Sequence, residues 1–200
     1  MLTDMNISMK PFVAGVVISV MLASCAYQAQ VIHLNPAPPK ADADAAANAA
    51  DHDVILVTRD GRASQEIGRR ASGSRNEVPI TTDTNIAGLL QTQMTDILKA
   101  KGYRVVHSGP STVPTLEVEL KELSYVAFDA AGERQVKIQV SLEAFIKNGP
   151  KTWRNRFHAK QERRILIEPV AKSNEEWINE TFTDAFKELA NDSRLYSNLE

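Results

Sequence analysis

Two rhythms of apolar residues run along the chain, and each predicts a kind of element. Period two is clearest at Val136, Ile138, Val140, Leu142, Ala144 and Ile146, with Lys137, Gln139, Ser141 and Glu143 between them. Such a strand turns one face to a core and the other to water. Upstream, Leu116, Val118 and Leu120 alternate, and Leu123, Tyr125 and Ala127 alternate in the opposite phase. A bulge near Lys121-Glu122 reconciles the two halves, because one extra residue switches which side chains point inward. Spacings of three and four at Ile86, Leu89, Leu90, Met94, Ile97 and Leu98 predict an amphipathic helix. Thr82, Asp83 and Thr84 offer caps before it, and Gly102 offers a left-handed stop after it. Trp177, Ile178, Phe182, Ala185, Phe186 and Leu189 predict a second helix behind Ser173-Asn-Glu-Glu176, which has capping-box spacing. Arg194-Leu-Tyr196 reads as a final turn, and Val54–Val57, Glu66–Gly68, Val78–Ile80 and Tyr103–Val106 read as shorter strands.

Asn148-Gly149 is a hairpin signal, but Pro150 follows it and has no amide hydrogen. A four-residue loop from Lys147 to Pro150 is therefore expected, with Ile146 opposite Lys151. That register sets Ala144 beside Trp153, Val140 beside Phe157, and Glu143 beside Arg154. Arg154, Arg156, His158 and Lys160 alternate along the returning strand and project from one face, near Lys151, Arg163 and Arg164. Such a row suits phosphate, acidic glycan or an acidic protein surface through charge-assisted hydrogen bonds. A row of bases also serves simply to keep an edge strand solvated and unpaired.

The amino-terminal segment follows neither rhythm. Met9-Lys10-Pro11 precedes an apolar run from Phe12 to Leu22, and Ala23-Ser24-Cys25 follows. This is the layout of a secretory signal. At about 1.5 Å per residue the run reaches only about 17 Å, short of a hydrocarbon core of about 30 Å. Leu22-Ala23-Ser24-Cys25 resembles the lipobox of bacterial lipoproteins, whose cysteine is acylated, with palmitate-type chains, and becomes the mature terminus. Ala26 rather than Asp after that cysteine implies, by the same resemblance, sorting to the outer membrane. Asp4 and the lack of bases before Met9 make an odd leader, so of Met1, Met5 and Met9 the natural start is expected at Met9 or Met5. Asn35-Pro-Ala-Pro-Pro-Lys40 and the alanine-rich stretch after it read as a tether, about 80 Å if extended and about 25–30 Å as a coil. Val31–Leu34 can dock as an edge strand.

Composition narrows the chemistry. In 200 residues, 23 basic side chains stand against 25 acidic ones, so no global excess of charge draws the chain to nucleic acid. The single cysteine excludes an internal disulfide and multi-cysteine metal sites. The histidines at 33, 52, 107 and 158 lack metal-ligand spacing, and no cofactor or metal is implied. No nucleophile elbow, zinc-protease motif or phosphate loop is present. Asp60-Gly61-Arg62 reads as a strand-ending turn with a solvated arginine. Glu175 and Glu176 read as first-turn acids favoured by the helix dipole.

The lipobox, the Asp60-Gly61-Arg62 turn, the helix ending in Lys101-Gly102-Tyr103, the long antiparallel strands and the carboxy-terminal helix together resemble the YajG family of uncharacterised bacterial outer-membrane lipoproteins. The resemblance implies an α+β domain on the periplasmic face of the outer membrane, without accepted catalytic residues. The expected fold is α+β, a mixed, largely antiparallel sheet with two main amphipathic helices packed on one face. The expected division is a signal peptide over 1–24, a lipid-anchored tether over 25–52 and a periplasmic domain over 53–200. The expected function is non-catalytic: binding or supporting another envelope component, protein or glycan, with the membrane engaged through the lipid at Cys25. The alternatives are an envelope hydrolase acting on peptidoglycan or lipid, and a small-molecule carrier. If the lipobox reading holds, mass spectrometry finds the mature amino-terminal peptide acylated at Cys25, and Cys25→Ser moves the protein out of the membrane fraction; an unmodified mature terminus would defeat it.

Overall fold

A computed structural model describes residues 29–38, 52–71, 77–130, 132–167 and 169–200. The expected signal segment, Cys25 and the alanine-rich part of the tether lie outside the described residues. Strands β1 (Gln30–Ile32), β2 (His52–Asp60), β3 (Glu66–Ala71), β4 (Glu77–Thr82), β5 (Tyr103–Val106), β6 (Thr115–Ala130), β7 (Glu133–Asn148) and β8 (Lys151–Arg164) make one mixed, curled sheet. Helices α1 (Ile86–Ala100), α2 (Ala171–Asn191) and α3 (Ser193–Ser197) accompany it.

The spine is the antiparallel meander β6–β7–β8, with β7 paired along both edges. The free edge of β6 is shared by two parallel partners. β2 lies along Thr115–Leu120, and β3 meets Tyr125 and Val126. Between them the register shifts at Leu120/Glu122, so the expected bulge sits where β6 changes partner. There the Gly61 N–H donates to the Leu120 carbonyl at 3.0 Å, closing the end of β2. β5 adds to β2, β4 to β3, and β1 to β4. Parallel pairings join β1 to β4, β2 to β5 and β6, and β3 to β6, so the sheet is more evenly mixed than its sequence suggested, while its longest ladders are antiparallel.

The alternating residues behave as their period requires. Leu116, Val118, Leu120, Leu123 and Tyr125 of β6 and the apolar set of β7 from Val136 to Ile146 are buried. They form one core with Leu90, Met94 and Leu98 of α1 and Ile178, Phe182, Phe186 and Leu189 of α2. Helix α1 packs on β2 and β5, and α2 packs on β7, β8 and β1. Burying an aliphatic or aromatic side chain of this size contributes about 1.5–3 kcal/mol before chain entropy is set against it. Tyr103 and Tyr196 stack at 6.2 Å, and the Tyr196 hydroxyl donates to the Ala190 carbonyl at 2.7 Å, which seats α3 at the end of α2.

Three local expectations are corrected. The β7–β8 connection is a two-residue turn, with Asn148 opposite Lys151, Ile146 opposite Trp153, Leu142 opposite Phe157 and Glu143 opposite Arg156. The turn closes through the N–H of Lys151, not of Pro150, so proline costs no ladder bond there. Gly149 at φ +57° followed by proline's fixed negative φ is the pattern of a type II′ turn. Helix α1 is capped by Asn85, whose side chain accepts from the Gly88 N–H at 3.1 Å. The earlier candidates are engaged elsewhere: Thr82 closes β4, and Thr84 Oγ1 accepts from the Leu34 N–H at 2.8 Å. Helix α2 starts at Ala171, ahead of Ser173, and its cap residue Val170 offers no side-chain bond.

A tertiary contact replaces that cap. The Gln30 side-chain amide, with its oxygen toward α2, accepts from the Ala171 N–H at 3.2 Å and from Arg70 Nη1 at 2.8 Å. Arg70 Nη1 also donates to the Pro169 carbonyl at 3.2 Å. Past β1 the chain stays docked. The His33 N–H donates to Glu175, the Asn35 N–H to Asn179 and the Ala37 N–H to Thr183, at 2.9, 2.7 and 3.0 Å, while Gln93 of α1 donates to the Pro36 carbonyl at 3.2 Å.

Gly68 tests the junction of β3 with β6. A Cβ built there falls 1.9 Å from the backbone oxygen of Tyr125. Gly68→Ala must part the two strands, an overpacking cost of about 1–3 kcal/mol. Its melting temperature is expected to fall by roughly 5–10 °C; an unchanged melting curve would show that β3 is not held against β6.

Candidate functional site

Among the described residues, strand β8 pairs only with β7, so its second edge carries backbone groups outside any strand ladder. The sequence of α2 answers that edge and the inner face beside it. Glu180, Asp184, Glu188 and Asp192 recur every fourth residue, which places them on one side of the helix. Glu180 pairs with Arg163, Asp184 accepts from Gln161 at 3.4 Å, and Asp192 accepts from Asn155 at 2.9 Å. Glu188 accepts from the backbone N–H of His158 at 3.2 Å, a direct block to further strand addition. Arg163 also lies over the Trp177 ring, 5.2 Å from its centroid.

The opposite side chains of β8 form the expected basic row. Arg154, Arg156, His158 and Lys160 are all exposed and share one face of the sheet. Register links them to a charged row on the neighbouring strands: Arg59, Glu119, Glu143 and Arg156 stand opposite one another across β2, β6, β7 and β8. Glu143 is the hub. Its carboxylate accepts from Arg156 at 2.9 Å and lies 3.9 Å from Arg154, whose guanidinium also stands 5.2 Å over the Phe145 ring. The Arg156 hydrogen bond holds the Glu143 carboxyl below its ordinary pKa against the opposing effect of burial, helped by the charges of Arg154, Arg156 and Lys121. Lys160 pairs with Glu162 at 2.7 Å, and Arg164 pairs with Glu133 at 2.5 Å. The row is thus partly neutralised from within, while its cationic ends remain half or more exposed.

Other candidates settle differently. Arg62 is not a solvated arginine: its side chain is 6% exposed and holds both oxygens of Asp60 at 2.9 Å. Glu175 lies beyond the first turn of α2 and binds the His33 N–H, while His33 stands 3.5 Å from Asp83 in solvent. Strand register also places Ser141 between Glu122 and His158, a juxtaposition that sequence reading missed because it depends on pairing. Ser141 Oγ is buried without a hydrogen-bond partner, and Glu122 accepts from Ser124 at 2.8 Å instead. A nucleophile engaged with its base requires the bond that is missing there. A groove of about 290 Å³ lined by His52, Asp53, Val113, Asn148 and Glu200 is open to solvent at one end of the sheet. Among the described residues, no helix is long and apolar enough to cross a membrane.

Residues 39–200 match the model of a family described as "Uncharacterized lipoprotein". Among solved structures, the chain is similar to a DUF330 protein from Xanthomonas campestris at 11% identity and a TM-score of 0.47, over 86% of this chain and 94% of that one. It is similar to a minor lipoprotein from Acinetobacter baumannii at 10% identity and a TM-score of 0.41, over 74% and 90%. A lipoprotein from Neisseria meningitidis is 8% identical with a TM-score of 0.27, over 64% and 94%. No curated protein matches the chain.

The lowered pKa of Glu143 gives the pair a pH signature. Folding favours the ionised carboxylate, so its contribution is full above the unfolded value of about 4.3 and is lost as pH falls through the lower folded value. Because Arg156 is half exposed, solvent screening limits the pair to about 0.5–1 kcal/mol. Glu143→Gln is expected to lose that amount at pH 7 and to flatten the decline in urea midpoint between about pH 5 and pH 3. An unaltered pH slope would mean that Glu143 is not the hub of the row.

Proposed function

The chain belongs to this family of uncharacterised lipoproteins, in agreement with its resemblance to the YajG family, and from that premise we propose that it is a non-catalytic adaptor of the bacterial envelope. In this reading Cys25 carries the lipid, the outer membrane holds it, and the domain faces the periplasm. The lipobox from Leu22 to Cys25 and the Ala26 that follows support that address. The division into a signal over 1–24, a tether over 25–52 and a domain over 53–200 belongs to the same proposal, with the tether docked on α1 and α2 over residues 33–37.

One observation carries the reading: the exposed row Arg154, Arg156, His158 and Lys160 on a strand whose free edge has its His158 N–H occupied by Glu188 of α2. A partner strand is discouraged from adding to β8, so contact falls to the side chains of the outer face. The single core shared by α1, α2 and the inward residues of β6 and β7 supports both long helices covering one face and leaving this one open. The matching chemistry is an acidic envelope component, protein or glycan, bound by charge-assisted hydrogen bonds. Glu143 then acts as an internal placeholder that an anionic partner displaces from Arg154 and Arg156. The hydrolase reading lacks an engaged nucleophile at Ser141, and the carrier reading rests on a groove open to solvent rather than a pocket between helix and sheet.

In living cells, a photo-crosslinking residue at Thr152 is expected to capture an envelope component. Arg154→Ser with Arg156→Ser should weaken binding about a hundredfold and lower that capture accordingly, each lost charge-assisted bond costing about 1.5 kcal/mol. Equal capture by the folded double variant would remove the row from the function. Turnover of envelope polymers by the purified protein alone would overturn the non-catalytic reading.

A further inference from the structure

The loop between β8 and α2 places large aliphatic side chains in water. Leu166 is 103% exposed, Ile167 85% and Val170 65%. Single exposed apolar residues are ordinary, whereas three on one short loop form a patch that water alone does not explain. Exposed bases flank it, Arg164 at the end of β8, paired with Glu133, and Lys172 in the first turn of α2, and one acid, Glu168, interrupts the apolar sequence. Aliphatic side chains bordered by Lys and Arg are the composition of a segment that lies in a membrane interface, the apolar groups among acyl chains and the bases at headgroup level.

The amino-terminal strand says which surface lies opposite. Gln30 opens β1, and its side chain bonds the Ala171 N–H and Arg70, which in turn holds the Pro169 carbonyl. The chain therefore enters the domain within one side chain of Pro169–Ala171. Cys25 precedes Gln30 by only five residues, and five residues span at most about 17 Å. A lipid on Cys25 consequently holds this end of the molecule close to the bilayer that receives the acyl chains.

We propose that Leu166, Ile167 and Val170 form a bilayer-contacting tip, which inserts into the leaflet bearing the lipid anchor and fixes the orientation of the domain on the membrane. The proposal rests on the acylation of Cys25 assigned above, and adds a second point of attachment. With two contacts at one end of the sheet, the domain stands on the membrane rather than swinging from it. The β7–β8 turn lies at the far end of β8, so the basic row from Arg154 to Lys160 is presented between them, away from the surface.

The acylated mature chain has no free thiol if Cys25 is modified, so Ile167→Cys and Thr152→Cys each provide a unique site for a spin label. Both proteins are bound to vesicles of phosphatidylethanolamine and phosphatidylglycerol, and label accessibility is compared between oxygen, which partitions into lipid, and a water-soluble nickel chelate. The label at 167 is expected to be severalfold more accessible to oxygen and shielded from nickel, and the label at 152 the reverse. A second pair carries Cys25→Ser and an amino-terminal hexahistidine tag on nickel-chelating vesicles, with accessibility there read by power saturation with oxygen alone. This pair supplies an anchor at the same point whatever the chemistry of Cys25. Lipid contact at 167 in the tagged pair together with an unacylated native terminus would refute the Cys25 reading alone. An aqueous label at 167 in vesicle-bound protein, by either anchor, would overturn the tip.

Discussion

The structure depends on a strand that has no freedom to slip. β7 is paired on both edges, to β6 and to β8. A shift of one residue on either side would carry Ile138, Val140 and Leu142 to water and their polar neighbours into the core. That penalty, several buried aliphatic side chains at about 1.5–3 kcal/mol each, fixes the faces of all three long strands together. The bulge at Leu120/Glu122 is the one irregularity in the β6–β7–β8 ladders, and it falls where β6 exchanges β2 for β3. The same register that buries Leu142 against Phe157 sets Glu143 opposite Arg156 on the outer face. Core and charged surface are thus two readings of one pairing.

A second constraint acts at the entry of the chain. Helix α2 begins without a side-chain cap of its own, and Gln30, far away in sequence, supplies the acceptor. Hydrogen bonds from His33, Asn35 and Ala37 to Glu175, Asn179 and Thr183 continue along the helix at its four-residue repeat. An extended segment has one backbone donor every second residue pointing the same way, and about two such residues span one helical turn. This geometric match binds the start of the folded chain to the helix that also guards β8. Force applied at Gln30 is therefore delivered to α2 and the sheet.

The acidic side of α2 and the basic outer face of β8 divide the electrostatic work. Glu188 occupies a backbone donor on the open edge, which limits aggregation through strand addition. Glu143, itself shielded, holds two guanidinium groups that face solvent. Surface pairs of this kind contribute little to stability, and their net charge is available to an anion that competes for the arginines.

The sequence by itself determined the alternation of β6 and β7, the bulge, the apolar faces of α1 and α2, and the exposed row at Arg154, Arg156, His158 and Lys160. Each follows from the period of a single segment, which neighbouring residues specify without help from the rest of the chain. Tertiary structure alone decided the two-residue turn at Gly149-Pro150, the meeting of Glu143 with Arg156, the burial of the Arg62 side chain, and the capping of α2 by Gln30. Those outcomes depend on which hydrogen-bonding groups remain unpaired once strands and helices are packed, and no local pattern records that. The juxtaposition of the Leu166–Ile167–Val170 loop with the amino-terminal strand belongs to the same class, since it joins residues separated by more than a hundred positions through contacts that exist only in the folded chain.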